Sequence, residues 1–260
     1  MDGGGEASGG GRPGHLSMAV VAAKALEGVT ITPSAPTDAT VLLVTTDTVS
    51  GFCSPNPGSL FYRINYDDSS GVFFGTMQFF SYCFDGVSLT GSASITGRVE
   101  PLSLLFLTLD ITFDSLTAVS SGDSFTGSGS MSYDYTTLST TATLNMDLRD
   151  DSTSEIFRLD GVSFTITDVT PSLFRVAING GKFFHPDFGH VTVSTASGAS
   201  LEFVVGDEFP RSGVFTLSGA GGTASKLTVL SNTQYMVTAD TNGDGAFDDF
   251  ASANLLWADL

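Results

Sequence analysis

The sequence contains very little positive charge. Lys and Arg together number 10 among 260 residues, whereas Asp and Glu number 28, and the net charge is −18. Nucleic acid is a poor partner for such a chain, because binding to it requires clusters of Lys and Arg that displace phosphate counterions. The negative charge also disfavours anionic membrane surfaces. We therefore expect good solubility, an affinity for cations and no nucleic-acid partner.

Long apolar runs are missing as well. No stretch approaches the ~20 consecutive apolar residues that a membrane-spanning helix requires, and Met1 precedes a Gly-rich stretch and not the apolar core of a signal peptide. Charged residues make up only 15% of the chain, compared with about a quarter in typical soluble domains. Ser, Thr and Gly take their place. This composition predicts an exported protein that does not span the membrane and is periplasmic, cell-surface or extracellular.

Cysteine is nearly absent. Cys53 and Cys83 are the two cysteines of the chain, and neither a CxxC spacing nor a nearby His suggests redox chemistry or a zinc site. Two interpretations stay open, a pair of buried thiols and a disulfide between neighbouring strands. Export favours the disulfide, which is expected to stabilise a fold of this kind by about 3 kcal/mol.

The first 28 residues differ from the rest of the chain. Residues 1–14 are rich in Gly and predict a flexible tether. Residues 15–28 predict one short helix, with Ser17 as its N-cap and Gly28 just after its last turn. The side chains of this helix are apolar on nearly every side and mostly small. We therefore expect the helix to be buried as a plug or cap against a curved sheet.

From Val29 onward the sequence alternates between apolar and polar residues. The alternation is clearest at 60–66, 87–99, 105–113, 125–135 and 142–148. One face of each run is apolar and the other carries Ser, Thr and Asp, which is typical of antiparallel strands with one face on a core. Because a long meander needs covered edges, the sequence predicts an all-β fold, an antiparallel meander closed or rolled into a barrel-like shell.

Short turn signals separate these runs. Two of them are the Asp-Gly pair at 160–161 and the Asn-Gly-Gly run at 179–181. We expect a turn at each, because such residues commonly connect two strands of a hairpin. After residue 180 the predicted strands become shorter. We therefore divide the chain after the tether into a helix-plus-meander domain at 15–180 and a C-terminal β region at 181–260, which is either a subdomain or a continuation of the same sheet.

The segment 72–84 is apolar on both of its faces. Strict alternation places Phe73, Met77 and Phe79 on one face. The other face would then hold Phe74, Phe80, Tyr82 and Phe84. Such a segment is either a central strand packed on two sides or an exposed aromatic strip for a ligand or partner protein.

The most specific motif is an acidic loop at 240–249. Oxygen-bearing side chains at its first, third and fifth positions and glycine at its sixth follow the spacing of Ca²⁺ loops. The predicted ligands are the side chains of Asp240, Asn242 and Asp244, the carbonyl of Ala246, and a closing carboxylate from Asp248 or Asp249. Position twelve is Ala251 and not the Glu of an EF-hand. An acidic β-turn without metal is therefore the second interpretation.

No catalytic constellation is recognisable, and we predict that the chain is not an enzyme. No Ser lies in a Gly-x-Ser-x-Gly elbow, and carboxylates are too numerous to single out a glycosidase pair. His185, Asp187 and His190 have the residue types of a transition-metal site. However, Pro186 and Gly189 predict a rigid turn at the same place.

Several of these features together suggest a relationship. They are the Gly-rich tether, the Ala-rich helix, the Ser/Thr-rich meander with one Cys pair, the His-Pro turn at 181–189 and the acidic loop before Trp257. The combination resembles a group of uncharacterised proteobacterial cell-envelope lipoproteins, whose mature chains begin with a lipidated Cys and a flexible tether. The resemblance implies a lipid anchor in the precursor and carries no known activity.

The leading hypothesis is a non-catalytic exported protein of the cell envelope or extracellular space, which binds a partner protein or assembles with copies of itself. Two alternatives remain. One is a β-barrel that binds an apolar small ligand in its interior, and the other is a secreted carbohydrate-active enzyme. An internal cavity would favour the first alternative, and convergent carboxylates in a cleft would favour the second.

Overall fold

The structure is a computed structural model that describes residues 42–259 except 54, 85, 104, 121–122, 171, 197, 206 and 208. The predicted tether and the predicted helix lie outside these residues. Ten strands form a long meander: β1 (Leu42–Ser50), β2 (Ser59–Asp67), β3 (Val72–Phe84), β4 (Val87–Val99), β5 (Phe106–Ser120), β6 (Asp123–Tyr135), β7 (Ser139–Asp150), β8 (Ile156–Thr170), β9 (Leu173–His185) and β10 (Gly189–Thr195). Six shorter strands follow: β11 (Leu201–Val204), β12 (Gly213–Ser218), β13 (Ala224–Ser231), β14 (Gln234–Asp240), β15 (Phe250–Ala251) and β16 (Leu255–Leu256). Short 3₁₀ turns span Ala220–Gly222 and Trp257–Asp259.

All of these strands belong to one antiparallel sheet. Strands that follow one another in sequence are neighbours from β1 to β10, and the path continues through β12, β13, β14 and β15. β11 pairs with β9, and β16 pairs with β14. The predicted all-β antiparallel meander is therefore confirmed. Its described strands do not close into a ring, because β1 and β15 end the path without pairing with each other.

The apolar face of the meander forms one core. In β2, Leu60, Tyr62 and Ile64 are at most 3% exposed, whereas Arg63 between them faces solvent. Among the described residues, 28 buried apolar side chains from β2 to β8 and from β10 join in a single cluster, and side chains of β9 pack against it partly buried. Each large apolar side chain that leaves water stabilises the fold by about 2 kcal/mol. The meander is thus held together mainly by the face that the alternation predicts.

The alternation breaks at Ser81 in β3. Pairing between β3 and β4 shifts register between Phe79 and Tyr82, and Ser81 has a φ of 49°. This bulge turns Tyr82 into the core, where it is 0% exposed, whereas Phe74 and Phe80 are 46% and 55% exposed. The prediction that Tyr82 shares a face with Phe74 and Phe80 is wrong, because a bulge adds a residue that a two-residue period does not count.

Two glycine-rich turn signals lie inside strands. Gly161 belongs to β8, and Gly180 and Gly181 belong to β9, at a place where pairing between β8 and β9 shifts register. A Cβ atom on Gly181 would lie 2.3 Å from the Cα atom of Val162, so the two backbones approach too closely for any side chain. These glycines therefore mark β-bulges, and the turns predicted at 160–161 and 179–181 are not formed.

The two cysteines form the predicted disulfide. Cys53 and Cys83 have Cα atoms 5.4 Å apart and are bonded through their sulfur atoms. Backbone hydrogen bonds surround the bond, since the N–H of Phe52 donates to the carbonyl of Cys83 at 2.7 Å and the N–H of Cys83 donates to that of Pro57 at 2.8 Å. The disulfide and these hydrogen bonds fasten the β1–β2 loop to the end of β3.

Candidate metal centre

The acidic loop 240–249 connects β14 to β15. β14 ends at Asp240, and β15 pairs with Thr238 and Ala239 just before the loop begins. On its other edge β14 pairs with β13, where Asp240 lies opposite Ala224. Both ends of the loop are therefore fixed by strand ladders, which hold it in one orientation.

The carboxylate of Asp240 organises the loop. The residue is 1% exposed, and its Oδ1 and Oδ2 atoms accept hydrogen bonds from the N–H groups of Gly243 at 2.6 Å and Gly245 at 2.8 Å. Within the described ranges, no Lys or Arg forms an ion pair with it. A buried charge is costly unless it is paired or hydrogen-bonded. The two N–H groups offset part of that cost and leave lone pairs on both oxygens.

Asn242 and Asp244 make similar contacts further along the loop. Oδ1 of Asn242 accepts a hydrogen bond from the N–H of Asp244, and Oδ1 of Asp244 accepts one from the N–H of Ala246, both at 2.8 Å. Such contacts between a side chain and the backbone two residues on are Asx turns. As a result, the loop coils with the oxygens of its first, third and fifth residues directed at its own amides.

Asp249 ties the end of the loop to its beginning. Its Oδ2 atom accepts hydrogen bonds from the N–H of Thr241 at 2.6 Å, the Thr241 hydroxyl at 2.9 Å and the N–H of Asn242 at 2.9 Å. Its Oδ1 atom accepts one from the Asn242 side-chain amide at 3.0 Å. These donors, the N–H of Thr241 foremost, hold the pKa of the Asp249 carboxyl below its ordinary value. The exposed neighbour Asp248 is thus the acid that remains to close a metal site.

The short 3₁₀ turn at Ala220–Gly222 packs against the acidic loop. A Cβ atom on Gly243 would lie 2.5 Å from the carbonyl oxygen of Gly221, and Gly243 has a φ of +80°. Both facts require glycine at this position. The Nζ atom of Lys226 lies 3.6 Å from the ring centroid of Phe247, which is a cation–π contact. Backbone packing and one ring contact therefore fix the position of the loop.

The predicted ligands lie in one loop but do not form a closed shell. In the part of the chain that the structure describes, no group of three or more His, Cys, Asp or Glu side chains is close enough to share a metal. Calcium takes six to eight oxygen ligands, which include amide and backbone oxygens as well as carboxylates. Asp240, Asn242 and Asp244 retain unused lone pairs of this kind. The donor chemistry therefore fits Ca²⁺, and the side chains have to move closer together to surround the ion.

The two histidines of the turn at 185–190 lie on opposite faces of the sheet. His190 pairs with Phe184 in the β9–β10 ladder, so it shares the face of Phe184, and His185 as the next residue lies on the other face. The His185 ring packs on Phe157 with centroids 5.2 Å apart, and the His190 ring packs on Phe184 at 5.1 Å. The two imidazoles are therefore not placed to bind one metal ion.

Sequence reasoning did not find the aromatic cluster at the other end of β14. Trp257 stacks on Phe209, with ring centroids 5.2 Å apart, and packs at a tilt against Tyr235 at 4.4 Å. Its Nε1–H donates to the carbonyl of Ser231 at 3.1 Å. Tyr235 and Asp240 belong to the same strand, so the cluster and the acidic loop share a support. The available signal was the single Trp of the chain, since Trp is usually buried with its N–H satisfied.

No model of a protein family matches the chain, and neither curated proteins nor solved structures give a match. Across the described residues, no helix has both the length and the apolar character needed to cross a membrane.

Proposed function

We propose that this chain is a non-catalytic exported protein of the cell envelope or extracellular space, which binds a partner protein or assembles with copies of itself. In this proposal the sheet is rolled into a barrel-like shell, the precursor carries a lipid anchor, and the loop 240–249 holds Ca²⁺. The large apolar cluster of the meander supports the rolled shape. Among the described residues the strands form one sheet, and a sheet can bury one of its faces by bending around it. The disulfide supports export, because such bonds persist in oxidising compartments.

The observation that carries the calcium part is the buried carboxylate of Asp240. It has hydrogen-bond donors but no ion-pair partner among the described residues. The exposed Asp244 and Asp248 lie on the same loop, and two carboxylates brought together around one point would repel each other. A divalent cation removes that repulsion and offers Asp240 a charged partner. Binding is therefore expected to draw the loop together and to stiffen the strands that hold it.

A calcium titration tests this part of the proposal. Extracellular Ca²⁺ modules bind with dissociation constants near ~1 mM, so 10 mM CaCl₂ is expected to stabilise the native state by about 1.4 kcal/mol. Because the loop lies in the C-terminal region, the resulting rise in Tm is expected in the transition that fluorescence of the single Trp reports. The measurement is thermal unfolding with CaCl₂, with MgCl₂ and with EDTA. Mg²⁺ is expected to act more weakly, because it demands a tighter octahedral shell.

A pair of charge-matched variants identifies the site. Asp244→Asn combined with Asp248→Asn removes two loop carboxylates and is expected to abolish the rise in Tm. Asp110→Asn combined with Asp134→Asn removes the same charge from exposed positions in β5 and β6 and is expected to keep it. If both variants respond like the parent, or if the parent does not respond at 10 mM, the loop is an acidic turn without metal.

The assembly part has its own measurement. Light scattering of the purified chain at increasing concentration, with Ca²⁺ and with EDTA, separates self-assembly from binding to another protein. Particles that grow with concentration support assembly between copies. A monomer at every concentration instead favours a separate partner, and a hydrolytic activity of the same preparation on polysaccharides would contradict a non-catalytic role.

A further inference from the structure

The face of the sheet that points away from the core, which we call the outer face, carries exposed aromatic rings in β3. Phe74 and Phe80 are 46% and 55% exposed, and the exposed residues Thr76 and Gln78 lie between them on the same face. The row from Phe74 to Phe80 is about 20 Å long. Single exposed rings are ordinary on protein surfaces, so the residues around each ring decide whether it has a role.

Phe74 lies between two arginines on the outer face. Arg63 of β2 pairs with Thr76 in the β2–β3 ladder. Arg98 of β4 pairs with Val72 in the β3–β4 ladder. Each arginine is thus a diagonal neighbour of Phe74, at about 7–8 Å between Cα atoms, which is within reach of long side chains. Both guanidinium groups can therefore contact a ligand that lies on the Phe74 ring.

Neither of these arginines has a carboxylate partner in the described part of the chain. Asp110 of β5 is a diagonal neighbour of Arg98 on its other side, but the two side chains form no ion pair. Nε of Arg98 instead donates a hydrogen bond to the carbonyl of Ser70 at 3.2 Å. The ion pairs of the described residues involve the other four arginines, which are Arg149, Arg158, Arg175 and Arg211. Carboxylates are abundant in a chain with 28 acidic residues, so two arginines without one beside an exposed ring are available to an external anion.

A polar cleft adjoins the ring. Its volume is about 350 Å³, which lies within the range of sites that bind small molecules. The polar side chains that line it belong to β3, β4 and β5, and they are Thr76, Gln78, Ser92, Ser94, Thr112 and Asp114. Thr76 is two residues from Phe74 on the same strand, a distance of about 7 Å. One extended ligand can thus cover the ring, the arginines and the hydroxyl and amide groups of the cleft.

We propose that this part of the outer face binds an acidic polysaccharide whose sugars carry carboxylate groups. The C–H face of a sugar ring is apolar and packs on an aromatic ring such as Phe74. A carboxylate on that sugar matches the planar donor pattern of Arg63 or Arg98. The hydroxyl groups of neighbouring sugars pair with the hydroxyl and amide groups of the cleft, and Phe80 lies where a longer chain continues.

A protein partner fits this surface less well. Binding energy between proteins is concentrated in well-packed pockets that exclude water, whereas this surface is an open cleft lined by hydroxyl groups with one ring at each end. A neutral glycan would make no use of the two arginines. The proposal therefore adds a ligand to the proposed function, and it depends neither on the calcium loop nor on self-assembly.

Binding of the full chain to immobilised polysaccharides, measured by biolayer interferometry, tests the proposal. The probes are polygalacturonate, alginate and hyaluronate, and binding to at least one of them is expected. EDTA in the buffer makes the result independent of the acidic loop. In about 0.15 M NaCl, charges more than about 8 Å apart are largely screened, so the net charge of −18 does not mask the local arginines. Methyl esterification of the bound polymer removes its charge and keeps its sugar rings, and it is expected to weaken binding at least about tenfold.

A charge-matched pair of variants tests the arginines. Arg63→Gln combined with Arg98→Gln is expected to weaken binding at least about tenfold. Arg158→Gln combined with Arg175→Gln makes the same change in net charge, at arginines that already have carboxylate partners, and is expected to bind like the parent. All four side chains are exposed, so both variants are expected to retain the circular dichroism of the parent.

A second pair of variants tests the ring. Phe74→Ala is expected to weaken binding, whereas Phe188→Ala removes a ring that is 85% exposed in another turn and is expected to leave binding unchanged. Absence of binding to all three polymers overturns the proposal. Preserved binding in the Arg63 and Arg98 variant, an equal loss in its charge-matched control, or equal binding to the esterified polymer overturns it as well.

Discussion

The meander and the C-terminal region are stabilised in different ways. In the described part of the chain, the meander has 28 buried apolar residues in one cluster and contains the disulfide. The C-terminal region, residues 201–259, has a cluster of three buried residues, Val229, Tyr235 and Trp257, with five partly buried neighbours. Apolar burial is the main favourable term in folding. The C-terminal region therefore depends on a few ring contacts and on the order of its acidic loop.

This difference suggests a division of roles. A region of low local stability opens more readily and responds more strongly to a bound ligand, because binding adds a large fraction of its total stability. The acidic loop lies in that region, on the strand that also carries Tyr235 of the small aromatic cluster. Calcium at the loop is thus expected to act on the C-terminal region and to leave the meander nearly unchanged.

The largest expected effect comes from the core of the meander. Leu144 in β7 is 0% exposed, and Leu144→Ala is expected to lower the free energy of unfolding by about 4 kcal/mol. Urea unfolding followed by far-UV circular dichroism reports the whole sheet, whereas fluorescence of the only Trp reports the C-terminal region. In the parent we expect fluorescence to change at lower urea. In Leu144→Ala the difference between the circular dichroism midpoint and the fluorescence midpoint is expected to narrow by roughly 1.5 M urea, because only the meander is weakened.

The reciprocal variant is Phe209→Ala, which removes the ring stacked on Trp257. It is expected to lower the fluorescence midpoint and to leave the circular dichroism midpoint within about 0.3 M of the parent. Coincident midpoints in the parent, or an equal shift of both probes in either variant, would show that the two regions unfold as one cooperative unit.

The disulfide has the next largest expected effect. Replacement of both Cys53 and Cys83 by Ser opens a loop between residues 30 apart in sequence and is expected to destabilise the meander by about 3 kcal/mol. The same urea experiment measures it, and the fluorescence midpoint is expected to stay in place. Reduction of the parent with dithiothreitol provides the control, because it breaks the bond without changing the sequence. If only the fluorescence midpoint fell, the disulfide would be stabilising the C-terminal region and not the meander, which would contradict this prediction.

The sequence was sufficient to predict most of the meander. Residues such as Leu60, Ile95 and Leu144 alternate with polar neighbours, and burial of one face is the only arrangement that removes all of them from water. The Cys pair was predictable for a different reason, since these are the only two cysteines of the chain and a disulfide within it can join only them. The local pattern was sufficient to predict these strands because burial of one sheet face requires an apolar side chain at every second residue.

Other features depend on long-range pairing and were not predictable. The bulge at Ser81 and the close approach at Gly181 arise from the fit of one strand against its neighbour, which a two-residue period does not contain. The role of Asp249 is similar. Its spacing suggested a metal ligand, but its carboxylate accepts hydrogen bonds from Thr241 and Asn242, and this contact depends on how the loop folds back on itself.

The smallest expected effect is on the decrease in the free energy of unfolding at alkaline pH. Burial raises the pKa of the Tyr133 hydroxyl from 10 to about 12, because the charged phenolate is poorly solvated in the core. A raised folded-state pKa gives stability that is complete below the unfolded value and is lost above it. Tyr133→Phe is therefore expected to reduce the stability loss between pH 9 and pH 11 by about 1 kcal/mol.

At neutral pH the same variant is expected to change stability little, because the hydroxyl donates its hydrogen bond to the sulfur of Met131, at 3.7 Å, and a thioether sulfur is a weak acceptor. Met131→Leu provides the control, since it removes that acceptor and keeps the buried phenol, so its alkaline limb should match the parent. Circular dichroism should show the effect of Tyr133→Phe, because Tyr133 belongs to the meander cluster. A change confined to Trp fluorescence would instead mean that the C-terminal region senses the ionisation, and that the two regions are more tightly coupled than their separate clusters indicate.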